Sequence, residues 1–478
     1  MFGSNRTTIE SERSRMNRMP GGLRTDQQPP TAIPFRHFVL ALAFLVAGVV
    51  GGTVLTVTTL PGLSELAFVH VVLLGWIAVT IMGAMTQFVP VWSGVSIHSR
   101  RLAVAQLWLV VVGLLGFAGA LLAGELVWLP VVAAPILLGI WLFVYNVGRT
   151  LLGARPLGFT ERHFALALAC FALVAPLGYL LAVDFTRPAF DAVALVRGDV
   201  RLLHATLALY GALLATVLGA LLQLTKMFAQ WELGALEDRL LQLEQALFPT
   251  GLLAFTVGRA AGTDLVAQVG AMALLAGLVA FTVVVVRALA GSTAERSPMT
   301  DRYWVVVASL YAWAFLTVPA WWLEPTGETV FGHPDAANVL IFGVFGFVVV
   351  GSLYHIVPFI IWHERYSDRL GFEQVPMIDD LYDDRLERAD FALTVVALVG
   401  LATAPLFDLP AAVTVGSAVL GTAGVVLFVS NVLLTIHRHG PNGLAGVLMT
   451  GDRLESEEGA DDLEDGVGDL GDVEVEGD

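Results

Sequence analysis

Apolar residues fall in long runs separated by short polar stretches, at about 37–58, 66–92, 102–123, 125–147, 162–184, 199–229, 246–260, 264–289, 303–323, 336–363, 389–408 and 411–436. Most come close to the roughly 20 residues that carry an α-helix across about 30 Å of hydrocarbon. The pattern predicts an all-α polytopic membrane protein with twelve spans. The seventh run is the shortest, because the charged segment 231–245 precedes it. Residues 1–36 are polar and Arg-rich, with Pro29, Pro30 and Pro34 before the membrane, and lack the apolar core of a cleavable leader. They are expected to form a disordered cytoplasmic arm before a membrane domain at 37–439. The acidic, low-complexity stretch 440–478 is expected to be a disordered cytoplasmic tail, since it holds too little apolar surface to offset chain entropy.

Within the second run, Glu65–Trp92, one ionisable side chain, His70, lies about a turn from the start. Gly75, Gly83, Gln87 and Pro90 follow. The spacing returns in the sixth run as Gly211, Gly219 and Gln223, and in the tenth as Gly343, Gly351, His355 and Pro358. Arg36-His37-Phe38, Arg162-His163-Phe164 and Arg302-Tyr303-Trp304 open the first, fifth and ninth runs. The fourth ends LFVYNVGRT and the twelfth LFVSNVLLT. Agreement at first, second and fourth helices predicts three quasi-repeats of four helices.

Composition narrows the class further. Hydrophobic residues make up 56% of the chain and charged residues 14%, too little charge to solvate a soluble protein of this length. The lone Cys170 excludes internal disulfides, thiolate clusters and covalent heme attachment. A net charge of −16 with a single lysine, Lys226, suggests a halophilic host. Arginines concentrate in alternate loops, and the other set holds only Arg187, Arg197, Arg201 and Arg259, so the positive-inside rule places both termini in the cytoplasm of a cell membrane. Trp92, Trp321, Trp322 and Trp362 are expected in an interfacial belt.

With that orientation His70 and His204 lie near the outer face, and His333 falls just before the tenth span. An ionisable residue inside a bilayer reads as functional by default, because its burial is costly without a compensating partner, and imidazole is a standard axial ligand for heme iron. His70 and His204 are therefore the candidate ligands, with His333 and His355 behind them. Gln87, Gln223 and His355, at equivalent depths, are candidate polar pathway groups. Histidines at the inner ends read as interfacial anchors.

Twelve spans, three quasi-repeats and a histidine at the outer start of the second span resemble subunit I of the heme–copper oxidase superfamily, in the branch of cbb-type cytochrome c oxidase and nitric oxide reductase. The segments His70–Val91 and Leu353–Tyr382 look like those of reduced homologues, and His70 with Pro90-Val91-Trp92-Ser93-Gly94 is similar to the NnrS family. The resemblance implies that His70 ligates a low-spin heme. It places Ala336 and Asn338 where that family carries its His-x-His pair, so His204 or His333 becomes the expected second ligand. His204 also stands where a span-six copper ligand would, but the usual Pro-Glu-x-Tyr and the histidine pair of the seventh span are missing, and copper is not expected. The resemblance thus implies an oxidase subunit I-like, heme-binding protein of electron transfer or nitric oxide and oxygen handling. The alternatives are a divergent oxidase or nitric oxide reductase subunit, and a cofactor-free transporter or assembly protein. Expected partners are the lipid bilayer and further oxidase-like subunits or a small redox protein. No nucleic-acid motif is present.

Overall fold

The computed structural model describes residues 27–190, 196–441 and 443–449. Among them are twelve helices long and apolar enough to cross a membrane: α1 (Ala32–Val57), α2 (Ser64–Ser93), α3 (Arg100–Ala123), α4 (Leu126–Leu152), α5 (Phe159–Val183), α6 (Arg197–Ala229), α7 (Ala235–Ala260), α8 (Asp264–Ala290), α9 (Pro298–Leu323), α10 (Pro334–Arg365), α11 (Asp384–Leu406) and α12 (Ala411–His439). No strand occurs among the described residues. The expected disordered stretches lie outside them for residues 1–26 and 450–478. The edges of the membrane domain are wider than the apolar runs, since α1 begins at Ala32 and a short helix, α13 (Gly443–Met449), follows α12. Arg36, buried in α1, donates from Nε to the Val447 carbonyl at 2.6 Å and ties the two together.

The charged segment before the seventh run is helical from Ala235 on, so α7 is longer than its apolar run. Its two buried carboxylates find partners, which offsets the cost of their burial. Glu237 accepts the Gly234 N–H and the Arg287 guanidinium. Glu244 meets His163 Nε2 at 2.8 Å.

Helices pack in a recurring order. The first helix of each set of four lies against the second, the third against the fourth, and the fourth against the first of the next set, α12 closing on α1. Helices α6 and α10 have 83% and 78% of their membrane windows buried, against 22% for α11, so they are central. Between α2, α6 and α10 a cavity of about 60 Å³ is lined in register: Thr80, Thr216 and Val348, then Ala84, Ala220 and Ser352, then Phe88, Leu224 and Ile356.

These three helices share a local distortion. Each contains an eight-residue π-helical stretch, Val71–Ala78, Leu207–Leu214 and Val339–Gly346, beginning four residues before Gly75, Gly211 and Gly343. The next glycine of each helix receives the opening helix of its set. A methyl group on Gly83 would come within 2.5 Å of His37, on Gly219 within 3.0 Å of His163, and on Gly351 within 3.0 Å of Arg302. Small residues permit such close backbone approach in membrane bundles. This corrects the register of the ninth run by one residue: Arg302, not Tyr303, takes the place of His37 and His163.

The Asn of the shared Leu-Phe-Val-x-Asn-Val motif has one task in both copies. Asn146 exchanges two 2.9 Å hydrogen bonds with the backbone of Ser99, and Asn431 does the same with Asp383. Ser99 and Asp383 are the N-caps of α3 and α11, so each Asn pins the start of the preceding helix. The tryptophans of the expected belt differ in exposure. Trp322 is exposed, whereas Trp321 and Trp362 are buried, because their indole N–H groups have carbonyl partners in Thr329 and Pro376.

Candidate functional site

His70 and His204 line one cavity of about 320 Å³ at the end of the bundle where α2 and α6 begin, between α2, α4, α5 and α6. His70 is the last α-helical residue before the π stretch of α2, and His204 lies just before that of α6. Each imidazole is oriented by a backbone carbonyl. His70 Nδ1–H donates to Leu66 at 2.8 Å, within its own helix, and His204 Nδ1–H donates across to Val174 of α5 at 3.0 Å. Those bonds fix the tautomer, so the lone pair of each ring is at Nε2. The Phe117 ring packs 5.0 Å from that of His70. Gly178 makes room for His204, since a methyl group there would sit 2.8 Å from Cε1 of the ring.

The other walls are apolar, among them Leu73, Ile140, Phe171 and Leu213. Toward the helix ends the lining includes Tyr179, Arg201, Val330 and Phe331. Arg201 pairs with the exposed Glu328. Nearby, Arg197 Nη1 donates to Asp184 at 2.6 Å, and that bond holds the Asp184 carboxyl below the usual carboxylate range. The arrangement sets two imidazoles on a largely apolar cavity with one cation, Arg201, among its lining residues.

The remaining sequence candidates lie elsewhere. His333 is outside the cavity: its Nδ1 accepts the Asp335 N–H at 3.2 Å and caps the turn Pro334–Ala336. The His355 ring lies 3.8 Å from that of Phe228, toward the other ends of α6 and α10. Gln87 is buried, with its Oε1 unpartnered among the described residues, and Gln223 is half-buried. Among the described residues no group of three or more His, Cys, Asp or Glu side chains is arranged to hold a metal ion.

Register explains why only one slot carries histidines. The position of His70, five residues before the first glycine, is Thr206 in α6 and Asn338 in α10; that of His204, seven before, is Phe68 in α2 and Ala336 in α10. The slot beside Thr206 is filled. Arg259 donates to Thr206 Oγ1 at 2.8 Å and to the Pro325 carbonyl at 2.9 Å, under a cluster of Tyr210, Phe255, Trp313 and Trp321. Arg259, counted from sequence as an outer-loop charge, is 1% exposed.

Sequence reasoning passed over Gly178 and Arg201. Arg201 had a signal, since it precedes His204 by one helical turn on the same face. Gly178 had none, because only the crossing of α5 and α6 brings it to the ring. No protein-family model matches the chain, and no curated protein is detectably similar to it.

Proposed function

We propose that this polytopic membrane protein binds heme between His70 and His204, on a scaffold of the heme–copper oxidase subunit I type, and serves electron transfer or the handling of oxygen or nitric oxide. The observation that carries the reading is the pair of imidazoles, each tied through Nδ1 to a carbonyl, lining a single apolar cavity. The carbonyl bonds raise the basicity of Nε2 and hold each ring against rotation, as the outer partners of histidine ligands do. Phe117 and the aliphatic walls exclude water, and Arg201 at the rim offers a charge to a carboxylate-bearing edge. Bound there, heme supplies one-electron chemistry or a site for a diatomic gas. The recurring π stretches, glycine contacts and asparagine clamps support the threefold oxidase-like scaffold. The arginine distribution supports cytoplasmic termini.

Optical spectra of the purified protein, oxidised and then reduced, test the reading. The expected result after heme-supplemented expression is a Soret band that moves on reduction. His70→Ala and His204→Ala should each remove or reshape it, while His333→Ala and His355→Ala should leave it intact. A colourless wild-type preparation, or a band indifferent to both cavity histidines, overturns the reading in favour of a cofactor-free transporter or assembly protein.

A further inference from the structure

We propose that a second outer cavity, enclosed by α1, α2, α10, α11 and α12, binds a lipid-soluble phenol. It occupies about 290 Å³ and stands to α10 and α2 as the histidine cavity stands to α2 and α6. Its Asn338 and Phe68 hold the register positions of His70 and His204. The third slot of this kind is packed with aromatic rings and Arg259, so open space here is not a property of the scaffold in general.

The chemistry of the lining narrows the occupant. Four of its five threonines are engaged with the protein: Thr53 Oγ1 meets Thr422 Oγ1 at 2.8 Å, Thr422 also donates to the Val49 carbonyl, Thr56 donates to that of Thr53, and Thr394 to that of Asp390, while the fifth, Thr414, stands at the half-buried edge. Asn338 Nδ2 donates to the Leu401 carbonyl at 3.2 Å. A carbonyl only accepts, so the amide orientation is settled, and Oδ1 remains the acceptor for a ligand. No charged side chain lines the space, which excludes an ion. Phe68, Phe342 and Phe347 offer ring faces. Leu55, Leu401, Thr414 and Ala418 are half-buried, so entry is from the bilayer. A neutral, flat molecule with one hydroxyl donor and an apolar tail meets all of these conditions.

Equilibrium binding of 4-hexylphenol and of its methyl ether, 4-hexylanisole, to the detergent-solubilised full chain tests this. The phenol is expected to bind saturably and about tenfold more tightly than the ether, the worth of one net hydrogen bond in an apolar site. Asn338→Leu should abolish the difference, Ala418→Phe should exclude both probes, and His70→Ala should change neither. Non-saturable uptake, equal affinities in the wild type, or a difference that survives Asn338→Leu overturns the proposal. The wild-type comparison decides even if a variant fails to fold, and none of these outcomes depends on heme at the other cavity.

Discussion

Gly178 carries more of the histidine cavity than its size suggests. It is the residue whose missing side chain admits the His204 ring, and with the ring come the Val174 hydrogen bond and the direction of Nε2. Overpacking a tight site costs about 1–3 kcal/mol. Gly178→Val is therefore expected to weaken heme retention while His204 remains present, measured as faster transfer of the cofactor to apomyoglobin. Unchanged retention would mean that His204 reaches the cavity independently of α5. His70 differs, because its orienting carbonyl is Leu66, one turn back in its own helix. His333 and His355, equal to His70 as residue types, end instead as a local turn cap and as a ring tilted against that of Phe228.

Polar pairs join the helices at the end of the bundle where α5, α7, α9 and α11 begin. His163 of α5 meets Glu244 of α7, and in the next set Arg302 of α9 meets Glu387 and Asp390 of α11 at 2.6 and 2.5 Å. Asp390 also accepts from Tyr354, whose hydroxyl receives a hydrogen bond from Asn431, so α9, α10, α11 and α12 meet at one network. Arg302 and Asp390 have no exposed surface. Removing one partner of such a group strands the other charges, at about 3–5 kcal/mol, whereas replacing the whole group by apolar residues is far milder. Arg302→Leu is expected to lower the thermal midpoint sharply in a detergent melt, and Arg302→Leu with Glu387→Leu and Asp390→Leu to recover most of it. Failure of the triple variant to recover would show that the network holds the helices by hydrogen-bond geometry rather than by compensating charge. The charged start of α7 follows the same rule, its two buried carboxylates, Glu237 and Glu244, both being partnered.

For the whole molecule, the packing order makes α2, α6 and α10 an inner set with the remaining helices around them, and sends the N-terminal ends of that set into the slots described above. Orientation in the membrane is open to direct measurement. Cys170 is buried, so the wild-type background to thiol reagents is low. With cytoplasmic termini, a membrane-impermeant maleimide should label Glu328→Cys on intact cells and Glu373→Cys only after permeabilisation, both native side chains being exposed. The reverse pattern would invert the topology and put the histidine cavity on the cytoplasmic side.

By itself the sequence determined the spans, the arginine asymmetry and the recurrence of Gly75, Gly211 and Gly343, because these depend on composition and on spacing along one helix. It also marked His70 and His204, since an ionisable residue in an apolar run is conspicuous without knowledge of its neighbours. Tertiary structure alone decided that those two share a cavity, that Arg259 fills the equivalent slot, and that Arg302 rather than Tyr303 meets the glycine of α10. Each of these depends on which faces of separate helices meet. The three π stretches alter that facing within their helices, and a pattern read at a constant helical period does not register them.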